Sequence, residues 1–180
     1  MKVTPTAIPD VLLLEPKGSG DGPGFFQESY NKRVFAELTG FDGEFVQDNH
    51  SRSGRGVLRG LHYQIEQAQG KLVRVARGTI YDVVVDLRRS SPTFGRWVGV
   101  TLDASSQAQL WIPPGLAHGF QVTSDSADLL YKTTDYYAPA AERCLAWNDP
   151  QLAIAWPIAD PILSAKDQAG KRLSEVETYR

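Results

Sequence analysis

The sequence predicts an all-β protein, a β-sandwich closed as a jelly roll, with a few short helices near its two ends. From residue 44 onward, short segments rich in Val, Tyr, Trp and Thr alternate with turns of Gly, Pro or Ser. Their spacing of roughly 8–12 residues is typical of a sandwich or barrel. No helix long enough to connect parallel strands separates them, so the pattern excludes repeated βαβ units.

The first 40 residues predict little regular structure. A short apolar segment at 11–14 is a strand candidate, and the glycine-rich segment 18–24 is a loop. Asn31 can cap a helix over residues 32–39, which Gly40 ends.

The remaining predicted strands form one continuous series, with no repeat, low-complexity segment or linker between them. They cover residues 45–48, 57–64, 71–76, 79–87, 96–102, 108–112, 119–122 and 128–134. After residue 148 the prolines at 150, 157 and 161 leave room only for short helical turns. A length of 180 residues fits one domain spanning residues 1–180.

Composition and charge exclude several functional classes. Nineteen basic and 21 acidic side chains give a net charge of −2, which argues against a nucleic-acid partner but allows a local basic pocket for a phosphorylated small molecule. No segment approaches the ~18 apolar residues of a membrane-spanning helix, and the N-terminus lacks the apolar region of a signal peptide. We therefore expect no membrane partner and a cytoplasmic location. With Cys144 as the only cysteine, an intrachain disulfide is excluded.

The histidines argue against a metal cofactor. Metal-binding barrels of this type show two histidines one residue apart, then a glutamate and a third histidine, whereas His62 stands alone in its segment and His50 and His118 are distant. Ligands can converge from separate strands, so spacing lowers the odds of a metal without excluding it. We predict no metal and no cofactor, and no effect of a chelator on activity.

Several polar side chains lie within predicted strands, where each has both a structural and a chemical interpretation. Period-two alternation places His62 on the same strand face as Gly60, whose missing side chain leaves space for a ligand or another backbone. A lone histidine in a strand is nevertheless more often a core residue. Lys71 shares a strand face with apolar residues, so its ammonium either extends to the edge of the sheet or binds an anion in a pocket. The Asp82 carboxylate needs a partner if it is buried. Tyr131 either packs in the core or at a sheet edge, or donates a proton.

Residues 47–49 (Gln-Asp-Asn) suit hydrogen bonding to a sugar or a base, and could equally form a turn. Phe25 and Phe26, beside the glycine-rich loop, could stack on a nucleobase or anchor that loop.

Taken together, these motifs resemble the dTDP-4-dehydrorhamnose 3,5-epimerase family, metal-independent enzymes with the cupin form of the jelly roll that serve dTDP-rhamnose and O-antigen biosynthesis. The segments Arg-Gly-Leu-His and Pro-Pro-Gly-Leu-Ala-His-Gly-Phe are the most specific, and the resemblance covers most of the chain. It is carried by residues 24–29, 47–51, 59–64, 69–75, 81–88, 112–120, 131–137 and 163–167.

The resemblance implies a role for each matching residue. His62 is the general base, polarised by Asp167, and Tyr131 is the acid on the opposite face of the sugar. Lys71 lies near the C4 oxygen, and His118, held by Asp82, lines the sugar site. The substrate-contact positions, of which Arg59 suits the diphosphate, are Phe26, Glu28, Gln47, Asp48, Asn49, Arg59, Glu142 and Lys166.

The resemblance also implies a homodimer, in which the segment around Phe26 and Glu28 reaches the partner's site. This sequence departs from the family at Pro23, where the family usually has an arginine that contacts the nucleotide. The departure puts the nucleotide contact from this loop in doubt, and leaves the chemistry unaffected.

The implied reaction agrees with the residues. Protons on C3 and C5 of a 4-keto sugar are α to the carbonyl, so a base can remove them, a lysine can stabilise the enolate, and an acid can return the proton on the other face. Three alternatives stay open: a mono-epimerase or ketoisomerase on a related dTDP-4-keto sugar, a non-catalytic sugar-nucleotide binding module, and a metal-dependent cupin oxygenase.

Overall fold

A computed structural model of the chain describes residues 1–16 and 24–180. The predicted glycine-rich loop, apart from Gly24, lies outside the described residues, and so does Pro23. Within the described ranges, no helix has the length and apolar character needed to cross a bilayer.

Eleven strands and two short α-helices make up the described regular structure, together with a 3₁₀ turn at Pro139–Ala141. The strands are β1 (Lys2–Pro5), β2 (Leu12–Glu15), β3 (Gln47–Gly54), β4 (Leu58–Gln64), β5 (Lys71–Arg77), β6 (Thr79–Asp86), β7 (Trp97–Asp103), β8 (Gln109–Ile112), β9 (Leu116–Val122), β10 (Ser126–Thr133) and β11 (Glu142–Cys144). The helices are α1 (Lys32–Thr39) and α2 (Ala165–Gln168).

The strands form two antiparallel sheets. The first sheet has the order β1-β2-β8-β5-β10-β3 and the second has the order β11-β4-β9-β6-β7. From β3 onward the chain crosses between the sheets at almost every connection, and only β6 and β7 are consecutive strands of one sheet. This crossing pattern is that of a jelly roll, so the predicted all-β fold class is confirmed.

Apolar side chains are buried in three layers. The main core lies between the sheets and includes Val73, Ile80, Leu110 and Val122. A second cluster covers the outer face of the second sheet, where residues of the C-terminal segment pack on β4, β6 and β9. A third, largely aromatic cluster places Phe35 of α1 against the outer face of the first sheet. Both sheets are therefore covered on their outer faces, at least in part.

Helix α1 occupies the predicted residues. The Asn31 side chain accepts hydrogen bonds from the backbone N–H groups of Arg33 and Val34, and Gly40 ends the helix in the left-handed conformation (φ 74°). Both ends follow the usual capping chemistry, which is why the sequence locates this helix.

Four strands differ from the prediction. β1 and β11 were not predicted; β1 forms an antiparallel pair with β2, and β11 forms one with β4. β3 runs from Gln47 to Gly54, whereas the predicted strand covered residues 45–48 and residues 47–49 had a turn as their alternative. As an edge strand whose even-numbered residues are exposed, β3 tolerates a polar sequence. β9 begins at Leu116, three residues earlier than predicted.

Candidate active site

A cavity of about 440 Å³ opens between the two sheets, and most of the predicted site residues line it. It is bordered by β3, β5 and β10 of the first sheet, by β4, β9 and β11 of the second, and by α2. The predicted residues in its lining are Gln47, Asn49, Arg59, His62, Lys71, His118, Tyr131, Glu142 and Lys166.

His62 and Asp167 form a hydrogen-bonded pair at one wall of the cavity. His62 lies on β4, Asp167 lies on α2, and His62 Nε2 is 2.7 Å from Asp167 Oδ1. The His62 side chain is 26% exposed and that of Asp167 is 2% exposed. The imidazole is thus accessible from the cavity while its carboxylate partner is buried behind it.

The Asp167 carboxylate is held by two further donors. The backbone N–H of Gly60 donates to Oδ1 (3.0 Å), and the Ser164 hydroxyl donates to Oδ2 (2.6 Å). Burial favours the protonated acid, but the hydrogen bonds from His62, Ser164 and Gly60 outweigh it and lower the pKa of Asp167 to about 2. Asp167 is therefore an anion at neutral pH and keeps the His62 ring oriented.

A second histidine–aspartate pair lies deeper in the same cavity. His118 Nε2 is 2.9 and 3.0 Å from the two carboxylate oxygens of Asp82, which is fully buried. Lys71 lies beside this pair and is 7% exposed. Burial lowers the pKa of the Lys71 ammonium to about 8, although Asp82 and Glu142 act in the opposite direction. Lys71 is consequently a cation at neutral pH that loses its proton more readily than an ordinary lysine.

Tyr131 approaches the cavity from the other sheet. It lies on β10, between Asn49 of β3 and Val73 of β5, whereas His62 belongs to β4 of the second sheet. Burial raises the pKa of the Tyr131 phenol above its ordinary value, and the nearby Lys166 only partly offsets this effect. The phenol is therefore protonated at neutral pH and can donate a proton.

β4 is irregular between Arg59 and His62, where its register with β9 shifts. Strict alternation would place residues 59 and 62 on opposite faces, but both line the cavity. The prediction that His62 shares its face with Gly60 therefore takes no account of this shift. Gly60 (φ 120°) lies so close to β9 that an added Cβ would be 2.5 Å from Gly119 Cα, so its lack of a side chain admits another backbone.

Glu142 and Lys166 form an ion pair at the rim, with Lys166 Nζ 2.8 Å from Glu142 Oε1. The Tyr137 hydroxyl donates to Glu142 Oε2 at 3.0 Å. Burial alone would raise the pKa of Glu142, but the hydrogen bonds from Lys166 and Tyr137 lower it. The rim of the cavity therefore presents a carboxylate, an ammonium and a phenol.

Three of the predicted substrate contacts do not line this cavity. Asp48 points to the outer face of β3, where its carboxylate pairs with Lys132 Nζ at 2.9 Å. Phe26 is 82% exposed, and the exposed Glu28 accepts a hydrogen bond from Asn31 Nδ2 at 3.3 Å. Since side chains alternate along a strand, Gln47 and Asn49 face the cavity and Asp48 faces away.

The sequence analysis did not identify every polar residue of the site. Ser51, Gln64 and Gln69 also line the cavity. Ser51 could have been found, because it continues the alternation of Gln47 and Asn49 along the strand. Gln64 is buried and holds the loop before β11 through hydrogen bonds to Tyr136 and Ala138, for which a single sequence carries no sign.

The donor atoms of His62, Cys144 and Asp167 all lie within 4.8 Å of one another. The three side chains include the nitrogen, sulfur and oxygen donors that Zn²⁺ binds. Cys144 is paired with His62 across β11 and β4, so the fold alone brings the two residues together.

Comparison with known proteins relates the chain to one family along nearly its whole length. The family model described as dTDP-4-dehydrorhamnose 3,5-epimerase matches residues 5–175. A relative of that name from Pseudomonas aeruginosa is 61% identical over 180 residues, covering 99% of each chain. A dTDP-4-dehydrorhamnose 3-epimerase from Streptomyces niveus is 40% identical over 176 residues, covering 97% of this chain and 85% of the relative.

Solved structures agree with the sequence comparison. The crystal structure of the dTDP-6-deoxy-D-glucose-3,5-epimerase from Legionella pneumophila, in complex with dTDP-4-keto-L-rhamnose, superposes with a TM-score of 0.96 at 50% identity. The superposition covers 99% of this chain and 97% of the other. The fold, the cavity and these similarities establish that the chain belongs to the dTDP-4-dehydrorhamnose 3,5-epimerase family.

Proposed function

We propose that this protein inverts C3 and C5 of dTDP-4-dehydro-6-deoxy-D-glucose and produces dTDP-4-dehydro-L-rhamnose. The observation that carries the proposal is that His62 and Tyr131 line one cavity from opposite sheets. Inversion by proton transfer needs a base on one face of the sugar and an acid on the other. Membership of the epimerase family supports the same reaction.

His62 is the proposed general base. Its Nε2 is engaged with Asp167, which leaves Nδ1 to take the proton from the carbon next to the C4 carbonyl. The resulting imidazolium is stabilised by the Asp167 anion, whose low pKa prevents it from taking the proton itself. Asp167 thus acts through His62 and does not contact the sugar in this proposal.

Lys71 is the proposed partner of the enolate oxygen at C4. Removal of an α-proton places negative charge on that oxygen, and an ammonium in a largely water-free site stabilises it strongly. Lys71 is almost completely buried in the cavity lining, as this role requires. His118, fixed by Asp82, completes the inner end of the site.

Tyr131 is the proposed acid. It returns a proton to the carbanion on the face opposite His62, which inverts the centre. Solvent then takes the proton from His62 and restores that of Tyr131, so the same pair can act in turn at C3 and C5. The remaining cavity residues bind substrate in this proposal. Arg59 and Lys166 suit the diphosphate because they carry positive charge, and Gln47 and Asn49 suit hydroxyl and base groups.

We further propose that the protein works as a homodimer in the cytoplasm. The Phe26 and Glu28 segment would cross to the partner's site, since neither residue lines the cavity of its own chain and both are exposed. The adjacent Phe25 is also exposed, and neighbouring exposed apolar residues are typical of a contact surface. Asp48 faces away from its own cavity, and its predicted substrate contact would likewise require another chain.

Incubation with dTDP-4-keto-6-deoxyglucose in heavy water tests the reaction. We expect deuterium at both C3 and C5, by NMR or mass spectrometry, and an L-configured product after reduction of the keto group. Deuterium at one carbon would establish a mono-epimerase, the second candidate, which the 3-epimerase relative from Streptomyces niveus favours. Binding of dTDP without exchange at either carbon would overturn catalysis and leave a binding module.

A further inference from the structure

Cys144 lies next to the proposed base, on the neighbouring strand of the same sheet. It is paired with His62 across β11 and β4, and burial raises the pKa of its thiol to about 11. The thiol is therefore neutral at physiological pH and is a poor nucleophile. None of the steps proposed above uses it, although it is within 4.8 Å of the donor atoms of both His62 and Asp167.

These three residues have the composition of a zinc site with one open position. Zn²⁺ takes imidazole nitrogen, thiolate and carboxylate ligands at about 2.0–2.3 Å, which places neighbouring donors of a tetrahedral site roughly 3–4 Å apart. The separations in this structure require only a small adjustment of the side chains. Asp167 is already oriented by Gly60 and Ser164, as the ligands of metal sites usually are.

One of the three donor residues, Cys144, can be approached from outside the substrate cavity. Cys144 borders a separate depression of about 280 Å³, which shares the rim residues Glu142 and Lys166 with the cavity. Neither Cys144 nor Asp167 belongs to the lining of the cavity, whereas His62 does. An ion held by all three would thus be bound largely by residues that do not line the substrate cavity.

We propose that His62, Cys144 and Asp167 form an inhibitory site for a thiophilic divalent cation such as Zn²⁺. The ion displaces the thiol proton of Cys144, which passes to solvent, and binds Nε2 of His62, whose ring proton moves to Nδ1 so that the imidazole stays neutral. The binding part of this proposal stands on geometry, while inhibition rests on the proposed role of His62 as base.

Inhibition follows from the loss of the free ring nitrogen. The ion occupies Nε2 and Nδ1 carries the ring proton, so His62 cannot accept a proton from the substrate. The ion also separates Asp167 from the imidazolium that it would stabilise. Because the cavity itself stays open, Zn²⁺ should lower kcat and leave KM nearly unchanged.

Cobalt binding tests the site independently of turnover. Chelator-treated protein is titrated with Co²⁺, and we expect one equivalent to produce the near-ultraviolet absorption band of a thiolate–cobalt bond. Cys144→Ser should lose this band. It should also require at least about tenfold more Zn²⁺ for equal inhibition, where the inhibition of each protein is measured relative to its own activity in chelator. His50→Asn is the matched control, because His50 lies 4.0 Å from Asp128 on an exposed surface without a cysteine.

Two results would overturn the proposal. One is the absence of a thiolate–cobalt band in the wild-type protein, and the other is equal inhibition of wild type and Cys144→Ser by Zn²⁺. Failure of the proposed function is a different result: the protein would then lack α-proton exchange in chelator, before any metal is added. The cobalt band would still decide whether the three residues bind a cation.

Discussion

At the scale of single residues, two histidines of the cavity have the same kind of partner and differ in access. His62 and His118 each contact a buried aspartate, but their side chains are 26% and 8% exposed. A general base must reach the proton that it removes, so the more accessible His62 is suited to proton transfer. His118 is better suited to shaping the inner end of the cavity.

Replacing His62 by asparagine should reduce turnover about 10²–10⁴-fold, because the amide cannot accept a substrate proton. The amide can still hydrogen bond to Asp167, so the thermal unfolding midpoint should change little. Steady-state kinetics and calorimetry measure the two effects. His50→Asn provides the control, since His50 lies on an exposed surface with its side chain 58% exposed. Near-full activity of His62→Asn would show that another group is the base.

Replacing Tyr131 by phenylalanine should prevent complete epimerisation, because it removes the phenol proton and keeps the ring. Deuterium exchange by His62 should persist, so the variant separates deprotonation from reprotonation in a heavy-water experiment. Tyr136→Phe is the matched control, because Tyr136 is 60% exposed and outside the cavity lining. A normal rate of product formation by Tyr131→Phe would transfer the acid role to water or to Tyr137.

The ionisation of Lys71 predicts the alkaline limb of the pH profile. Since its pKa is lowered to about 8, the ammonium is present below that pH and is lost as the pH rises through it. We expect kcat/KM to fall roughly tenfold per pH unit above this value. Lys71→Met should remove the limb and lower the rate by about 10²–10³, as the loss of other oxyanion-stabilising groups does.

The matched control for this profile is Lys132→Met, which removes a lysine that pairs with Asp48 on the outer face of the first sheet. This variant should keep the limb of the wild-type protein. A limb near pH 8 that persists in Lys71→Met would assign the ionisation to another group.

At the scale of elements, the irregular strand β4 positions both the base and a cation of the site. Its register shift relative to β9 lets Arg59 and His62 border the same cavity. The close approach of β9 requires glycine at position 60, because an added Cβ would be 2.5 Å from Gly119 Cα and 2.8 Å from the His118 carbonyl oxygen. The Gly60 N–H also donates to Asp167, so this segment fixes the pair of His62 and Asp167.

Gly60→Ala should therefore destabilise the protein and impair the site. Backbone strain at positive φ and the steric clash together should lower the free energy of unfolding by about 2–6 kcal/mol. Urea unfolding measures this loss. Gly54→Ala on β3 is the control, because its added Cβ would lie 3.9 Å from the Asp125 carbonyl oxygen, in ordinary contact. Equal stability of the two variants would show that β4 and β9 can separate at no cost.

At the scale of the whole molecule, the arrangement of layers leaves a polar cavity between the two sheets. Apolar clusters fill the sandwich interior away from the cavity and cover the outer faces of both sheets. The cavity lies where the inner faces carry polar side chains instead, so the same jelly roll supplies both a rigid core and a binding site. Phe25 and Phe26 lie outside these clusters, 66% and 82% exposed.

The proposed dimer predicts complementation between two impaired variants. Light scattering should first give twice the chain mass of 19.9 kDa. Phe26→Ala should then weaken binding of dTDP, and mixing it with His62→Asn should restore activity. In a mixed dimer, one site combines a native His62 with the native Phe26 of the other chain. If the segment served its own chain, mixing would restore nothing, and a monomer in solution would also contradict the proposal.

The sequence by itself determined the fold class and most residues of the site. Period-two patterns, turn residues and the Asn31 and Gly40 caps act over a few neighbouring residues, so they can be read directly from a single chain. Polar side chains at inward positions, such as Lys71 and Asp82, indicated buried partners or a pocket, because burial of an unpartnered charge is costly.

Only the tertiary structure decided which of these residues meet. The contact between His62 and Asp167 spans 105 positions of the chain. The register shift in β4, the outward orientation of Asp48 and the pairing of Cys144 with the proposed base likewise depend on contacts between distant strands. Local patterns specify which residues favour a strand, but the register between strands is set by packing across the whole sandwich. For that reason the candidate base was identifiable from sequence, whereas the arrangement of the groups around it was not.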